Sequence, residues 1–192
     1  MAIQIIPIQD DRLPQAAELL ATRHRRDRRL LPAFPSRFEK QEVALQAIVA
    51  VRAKERAAGF AAVDGETLVA YLIGDLTIDS QRGRAGWVRS PGCAYDLQAD
   101  ADIICDLFSA LGASWVAQGD FSHFVLLPVT DEMLVHAWFS MSFGIEQVHG
   151  LVDLRQITQD VDGGPDVDLR LARPGDAHHL GALSDVIWRE QI

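Results

Sequence analysis

The residues closest to a chemical signature lie in "DLQADAD", residues 96–102, where a predicted strand meets a predicted helix. In many α/β proteins such a junction holds a phosphate, because N–H groups at a helix N-terminus point toward the ligand. Phosphate sites favour glycine, which lets the backbone come close, and exclude fixed negative charge. This junction carries Asp96, Asp100 and Asp102 without glycine, lysine or arginine. The sequence predicts the architecture of a phosphate element without its chemistry, and helix caps explain the aspartates better.

Two other segments have the composition of a binding site without its pattern. "QRGRAG", residues 81–86, is basic and rich in glycine, but strand-like residues and Pro91 follow it, so a hairpin turn is favoured. The six histidines show no zinc-type spacing, so we expect no metal site. "RHRRDRR", residues 23–29, is interpreted as the solvated end of a helix, and the alternative is pairing with an acidic surface of a partner.

The composition limits the class of protein. The chain has 192 residues and a net charge of −9, which argues against nucleic-acid binding as its main role. No apolar run has the length of a membrane span, and the N-terminal segment lacks the basic region of a signal peptide. Cys93 and Cys105 lie in apolar patterns and fit a reducing compartment. We therefore expect a cytoplasmic protein that does not bind a membrane.

The apolar pattern predicts the element order β-α-α-β-β-β-α-β-α-β. The second helix is expected over residues 36–56, the fourth strand near 87–97, a strand buried on both faces at 123–129 and a last strand near 145–157. The strongest helical stripe is made of Ile104, Leu107, Phe108, Leu111 and Trp115. This order predicts an α/β fold (α+β by some schemes) in which helices flank both faces of a mixed central sheet.

The C-terminal part predicts a second structural unit. Residues 1–156 form the first predicted domain, and the Gly- and Asp-rich residues 157–166 are a predicted linker. Residues 167–192 predict a strand and a helix, which repeat the layout of residues 3–26. The apolar residues of this segment need another surface: Leu169, Leu171, Leu180, Leu183 and Ile187. The strand could close the open edge of the first domain's own sheet, but we favour a homodimer through residues 167–192, with pairing to a second domain as a further alternative.

Three segments together resemble a known family. They are "AAELLATRHRRDR" in the first helix, "VAYLIGD" in the third strand and "HAWFSMSFG" near residue 140. Over residues 3–156 the chain resembles the Gcn5-related N-acetyltransferases, and more narrowly the N-terminal domain of two-domain members. The resemblance implies acetyl-CoA-dependent acyl transfer to an amine, with the thioester between the splayed fourth and fifth strands. The implied cofactor-binding positions are the backbone groups of Cys93, Ala94 and Tyr95.

The chain departs from the family pattern at two sites. The family's pyrophosphate loop has Gln or Arg, two residues, Gly, one residue, and Gly or Ala, and residues 95–103 do not fit it. A family tyrosine that protonates the thiolate would stand at Trp138, beside Phe139, when Ser142 and Phe143 are aligned with the family's Gly-Phe. Neither aromatic side chain donates a proton, so we assign no catalytic residue and expect Trp138 in the core.

A general base has two candidates, and the function has three. Asp75 and Asp96 are carboxylates near the expected cleft, although a surface or turn role explains each as well. The leading hypothesis is a non-catalytic domain that has a structural or substrate-shaping role in a tandem protein. The alternatives are an active acetyltransferase with an atypical cofactor loop, and a module that binds a small ligand or a protein in the cleft.

Overall fold

A computed structural model gives the structure of residues 3–79, 83–153 and 170–190. Its contacts divide the chain into two units, Met1–Val152 and Asp153–Ile192. The strands are β1 (Gln4–Pro7), β2 (Ala58–Asp64), β3 (Thr67–Asp79), β4 (Gly83–Val88), β5 (Cys93–Tyr95) and β6 (Ser122–Val125). The α-helices are α1 (Leu13–Leu30), α2 (Gln41–Arg52), α3 (Ile103–Val116), α4 (Glu132–Ser140) and α5 (Ala177–Glu190). Short 3₁₀ turns lie between some of these elements.

The first unit is built on one mixed sheet with the strand order β1-β2-β3-β4-β6. The long strand β3 pairs antiparallel with β2 along one edge, and with both β4 and β5 along the other. Strand β6 pairs parallel with β4. The predicted mixed sheet is therefore confirmed.

The predicted fourth strand is two strands in the structure. A 3₁₀ turn at Ser90–Gly92 separates β4 from β5. Pro91 lacks the N–H that a continuous ladder needs, and Gly92 packs so closely on the Ile73 carbonyl that a Cβ would overlap it. The turn lets β5 pair with β3 while it leaves the line of β4, which creates the cleft described below.

Helices cover both faces of the sheet, as predicted, and each face has its own core. Helices α1 and α2 supply the core on one face, and α3 and α4 the core on the other. The predicted stripe of α3 is confirmed: Ile104, Leu107, Leu111 and Trp115 are fully buried and Phe108 is partly buried. These residues recur every three or four positions, which places them on one side of a helix.

Three predicted boundaries differ from the structure. The second helix begins only at Gln41, because Ser36–Glu39 forms a separate 3₁₀ turn. Strand β6 stops at Val125 and is only half-buried, because β4 is its one strand partner among the described residues. Residues 145–153 form no strand, and residues 154–157 of the predicted last strand lie outside the described residues.

The second unit is described for residues 170–190. Residues 170–172 of the predicted strand are irregular, whereas residues 167–169 and the predicted linker lie outside the described residues. Asp176 accepts hydrogen bonds from Arg170 (2.7 Å) and from the backbone N–H of Arg173 (2.7 Å), which fixes the start of α5. No helix in the described part of the chain is long and apolar enough to cross a membrane.

Candidate acyl-CoA cleft

A cleft opens where β4 and β6 stop running side by side. The two strands pair from Ala85 with Ser122 to Val88 with Val125, and the last bond joins Leu126 N to the Val88 carbonyl at 2.9 Å. Beyond this point β5 stays with β3, whereas residues 126–131 lead to α4. Strand β5 therefore forms one wall of the cleft and residues 126–131 form the other.

The edge of β5 determines which backbone groups face the cleft. The N–H of Asp96 donates to the Val69 carbonyl at 2.7 Å, so this N–H points toward β3. Backbone groups alternate along a strand, so those of Ala94 also face β3 and those of Cys93 and Tyr95 face the cleft. The guanidinium group of Arg23 donates to the Cys93 carbonyl. Of the three implied cofactor-binding positions, two face the cleft, and one of these is already hydrogen-bonded by the chain itself.

Side chains from the last turns of α1 connect the two walls. Arg26 donates to Asp131 at 2.6 Å and lies 6.0 Å from the centre of the Tyr95 ring. The Tyr95 hydroxyl donates to the same carboxylate at 3.0 Å. Thr130 donates to Asp27 at 2.7 Å. The place between the walls is therefore occupied by a network of charged and polar groups.

The interpretation of residues 23–29 as a solvated helix end is wrong. Arg23 and Asp27 are only 4% and 1% exposed, because their positions one turn apart place both on the side of α1 that faces the cleft. Arg25 and Arg28 bind Glu18 and Glu39 within the same unit. The segment thus joins parts of its own chain. The four-residue spacing of Arg23 and Asp27 in the sequence indicates that the two side chains lie on the same side of the helix.

The start of α3 offers few free N–H groups to a phosphate. The N–H groups of Ile103, Ile104 and Cys105 donate to carbonyls three residues earlier, at 2.9–3.1 Å. Asp96 and Asp100 accept the N–H groups two residues after them, at 3.0 and 3.1 Å, and so form short turns. Asp102 is the N-cap residue, but its side chain accepts no capping bond, so the cap prediction holds by position alone.

The surface next to this helix start is acidic. A cavity of about 600 Å³ lies there, and Asp100, Asp102 and Asp106 line it together with His136. At an effective dielectric of about 20, two charges about 4 Å apart interact by roughly 4 kcal/mol. A helix N-terminus stabilises an anion by only about 1 kcal/mol. For an anion bound within about 4 Å of one of these carboxylates, we therefore expect the repulsion to exceed the favourable field of the helix.

The arrangement of sheet and helices matches that of solved acetyltransferases. A GCN5-related N-acetyltransferase from Ralstonia eutropha JMP134 superimposes with a TM-score of 0.59 at 12% identity, over 79% of this chain and 99% of that one. The chain has the fold of the GCN5-related N-acetyltransferases. A ribosomal-protein-alanine N-acetyltransferase from Brucella melitensis biovar Abortus 2308 gives 0.57 at 14% identity, over 79% and 99% of the two chains.

A third structure of this fold is a complex with CoA. The aminoglycoside N-acetyltransferase AAC(6')-Iy, in complex with CoA, gives a TM-score of 0.56 at 12% identity, over 80% of this chain and 95% of that one. No family model matches the sequence, and no curated protein matches it. The fold is thus established by structure, at identities where sequence comparison finds no relative.

Within this GCN5-related fold, neither candidate base is a free carboxylate in the cleft. Asp75 is buried within β3, where Arg89 donates to it at 2.8 Å and Lys54 at 3.0 Å. Asp96 follows β5 and accepts the N–H of Gln98. Both are structural in this arrangement. No group of His, Cys, Asp and Glu side chains suited to a metal occurs among the described residues.

The aromatic residue at the family's tyrosine position belongs to the core. Trp138 is buried, with its ring 5.3 Å from Phe108 and 4.8 Å from Phe143. Its neighbour Phe139 is partly exposed. Tyr95 places a phenol hydroxyl near the cleft, and burial raises its pKa well above the ordinary value, with a further rise from the Asp131 charge. Tyr95 therefore remains a protonated donor to Asp131.

We expect one of the two thiols to be unreactive in the folded protein. Burial raises the pKa of Cys93 to about 11, so at pH 8 only about one molecule in a thousand carries the thiolate. Cys105 is half-buried and serves as the internal control. Ellman's reagent should report one thiol in the native protein and two in urea. Two thiols of equal rate in the native protein would contradict the burial of Cys93.

Proposed function

We propose that the first unit is a member of the GCN5-related N-acetyltransferase superfamily that does not itself transfer an acetyl group. In this proposal it is a structural or substrate-shaping domain. The observation that carries the proposal is the network of Arg23, Arg26, Asp27 and Asp131, which connects both walls of the cleft. A thioester between the walls would have to displace this network.

The cofactor loop supports the same proposal. Acetyl-CoA carries a pyrophosphate, which needs free N–H groups and a neutral or positive surface. Here the N–H groups of Ile103 and Ile104 are hydrogen-bonded locally, and three aspartates line the adjacent cavity. The working acetyltransferase with an atypical loop remains the alternative, and acetyl-CoA binding distinguishes the two.

We expect acetyl-CoA to bind the full chain weakly or not at all. Isothermal titration should give no saturable heat in the low micromolar range, because the aspartates repel the pyrophosphate and the network occupies the cleft. The combined variant Asp100→Asn, Asp102→Asn and Asp106→Asn should raise any residual affinity. Asp10→Asn with Asp11→Asn, which lie in the 3₁₀ turn before α1, is the control for lost charge elsewhere. One-to-one binding at low micromolar Kd by the unchanged protein would refute the proposal.

We also propose that two copies of the chain associate through the segment 167–192. A narrow apolar stripe runs along one side of α5. It is formed by Leu180, Leu183 and Val186, which are 51%, 58% and 50% exposed. A second domain in the same protein is the other candidate for this stripe. We expect such a protein in the cytoplasm, away from membranes and nucleic acids.

Sedimentation of the full chain tests this association. We expect a dimer that the double variant Leu180→Asp and Leu183→Asp converts to a monomer, because two charges would be buried at the interface. Val49→Asp with Val116→Asp adds the same charge to exposed positions on α2 and α3 and should remain a dimer. A monomeric unchanged protein, or equal behaviour of the two double variants, would rule out the association through α5.

A further inference from the structure

The loop between α1 and α2, residues 31–40, lies at the α1 and α2 side of the cleft. A cavity of about 1210 Å³ continues the cleft in this direction, and its lining joins the wall of residues 126–129 to this loop. The loop contributes Leu31, Ala33, Phe34, Pro35 and Phe38 to the lining. The loop therefore borders the cleft.

The loop buries little surface of its own. None of its residues is buried, and only Phe34, Phe38 and Glu39 are half-buried. The N–H groups of Phe34, Phe38 and Lys40 donate to carbonyls of the loop itself, at 3.0, 3.4 and 3.3 Å. These bonds shape the loop without attaching it to the sheet.

Three side chains of α1 attach the loop to the rest of the unit. His24, Arg25 and Arg28 each donate a hydrogen bond to a backbone carbonyl of the loop. The acceptors are the carbonyls of Pro35, Glu39 and Phe34, in that order, at 2.9, 2.9 and 2.7 Å. The His24 ring also packs on the rings of Phe34 and Phe38, with centres 5.7 and 5.5 Å apart. The end of α1 therefore holds the loop in place.

The polar part of this attachment is accessible to water. Arg28 and Glu39 form an ion pair whose side chains are 27% and 32% exposed, and the side chain of Arg25 is 41% exposed. Ion pairs between partly exposed groups contribute little stability, because water can replace either partner. A segment with few buried contacts opens at a lower free energy than the core does. These features favour opening of the loop while the sheet stays folded.

We propose that residues 31–40 form a lid on the α1 and α2 side of the cleft, which His24, Arg25 and Arg28 hold closed. Opening of the lid widens access to the cleft without unfolding the sheet. This proposal concerns the regulation of the cleft and rests on the proposed function in that the cleft is the site concerned. Its tests use no acetyl-CoA, so its failure and that of the proposed function are distinguishable.

Amide hydrogen exchange of the full chain, followed by NMR, tests whether the loop opens by itself. The probes are the amides of Phe34, Phe38 and Lys40, and the amide of Leu111 in the buried side of α3 is the reference. Relative to intrinsic rates, we expect the loop amides to exchange at least about tenfold faster than Leu111. Their exchange should depend little on urea, because a local opening exposes little surface. Equal protection and equal urea dependence of the loop and Leu111 would overturn the proposal, since the loop would then open only with the whole unit.

Substitutions in α1 test which contacts hold the lid. Arg25→Ala with Arg28→Ala removes two of the three attachments, so exchange of the loop amides should rise at least about tenfold. Arg12→Ala with Gln15→Ala removes bonds of α1 to the turn between β2 and β3, and this matched control should leave the loop amides unchanged. Glu39→Gln removes only the charge of the ion pair with Arg28 and should give a smaller rise, which decides the matter if the first pair fails to fold. Loop exchange that is the same in these variants and in the control would refute the proposal.

Thiol labelling measures access to the cleft behind the lid. Ala47 of α2 lines the cavity, whereas Val49 of the same helix is 45% exposed and does not. In a Cys105→Ser background, N-ethylmaleimide should label Ala47→Cys at least about tenfold faster when Arg25 and Arg28 are replaced by alanine. It should label Val49→Cys at the same rate in both cases. Equal rates at position 47 with and without the two arginines would show that the loop does not restrict access, and the proposal would fail.

Discussion

Replacing Trp115 by alanine is expected to lower the free energy of unfolding by about 3–5 kcal/mol. Trp115 is fully buried on the inner side of α3. Its ring packs directly on Gly74 of β3 and Gly86 of β4, where a Cβ at either position would overlap it. The two glycines leave a flat surface on which the indole packs, and alanine at position 115 would leave a cavity there.

Urea denaturation followed by circular dichroism measures this change. Val116→Ala is the matched control, because Val116 is the next residue of α3 and is 46% exposed; it should change the free energy of unfolding by less than about 0.5 kcal/mol. A loss below about 1 kcal/mol for Trp115→Ala would mean that α3 does not pack on β3 and β4 as described.

The second large effect is expected for Asp131→Ala, at about 2–4 kcal/mol. This carboxylate accepts hydrogen bonds from Arg26, from Tyr95 and from the N–H of Leu134, the last of which caps α4. Removing it leaves a buried hydroxyl and a helix N-terminus without their acceptor. Arg26 is 24% exposed and can regain water, which keeps the loss below that of a fully buried ion pair.

Asp131→Asn separates the charge from the cap. The amide keeps an oxygen for the Leu134 N–H, so we expect about half the loss of the alanine variant in the same urea experiment. Glu132→Gln alters the neighbouring exposed carboxylate and should have almost no effect. If Asp131→Ala and Glu132→Gln unfold at the same urea concentration, the network does not hold the cleft walls together.

The sequence alone predicts those elements whose burial follows from the local spacing of their residues. The stripe from Ile104 to Trp115 has a helical period, so the buried side of α3 follows from spacing alone. The three aspartates before α3 were equally readable, because charge near a helix N-terminus acts locally. The division of the fourth strand into β4 and β5 was harder to predict, although Pro91 and Gly92 indicate a break there.

The network across the cleft could not be predicted from local pattern. Arg26 and Asp131 are 105 residues apart, and Asp27 and Thr130 are 103 residues apart. A run of charged residues near a helix end is usually solvated, and only the tertiary structure brings this run to the gap between β5 and residues 126–131. For the same reason the apolar run of β6 predicted a strand buried on both faces. The strand is a half-buried edge strand, because a run of apolar residues does not show how many strands pair with it.

The contacts between the end of α1 and the start of α4 also bear on how the chain folds. These contacts close a loop of about a hundred residues. Within this loop lie the pairings of β2 with β3, of β3 with β4 and β5, and of β4 with β6, whereas the pairing of β1 with β2 reaches outside it. Contacts at such a separation form after local ones, because closing a long loop costs chain entropy before it gains bonds. The hairpin of β2 and β3 can form early, whereas the two walls are joined late. We therefore expect the contacts between the walls to slow unfolding more than they speed folding.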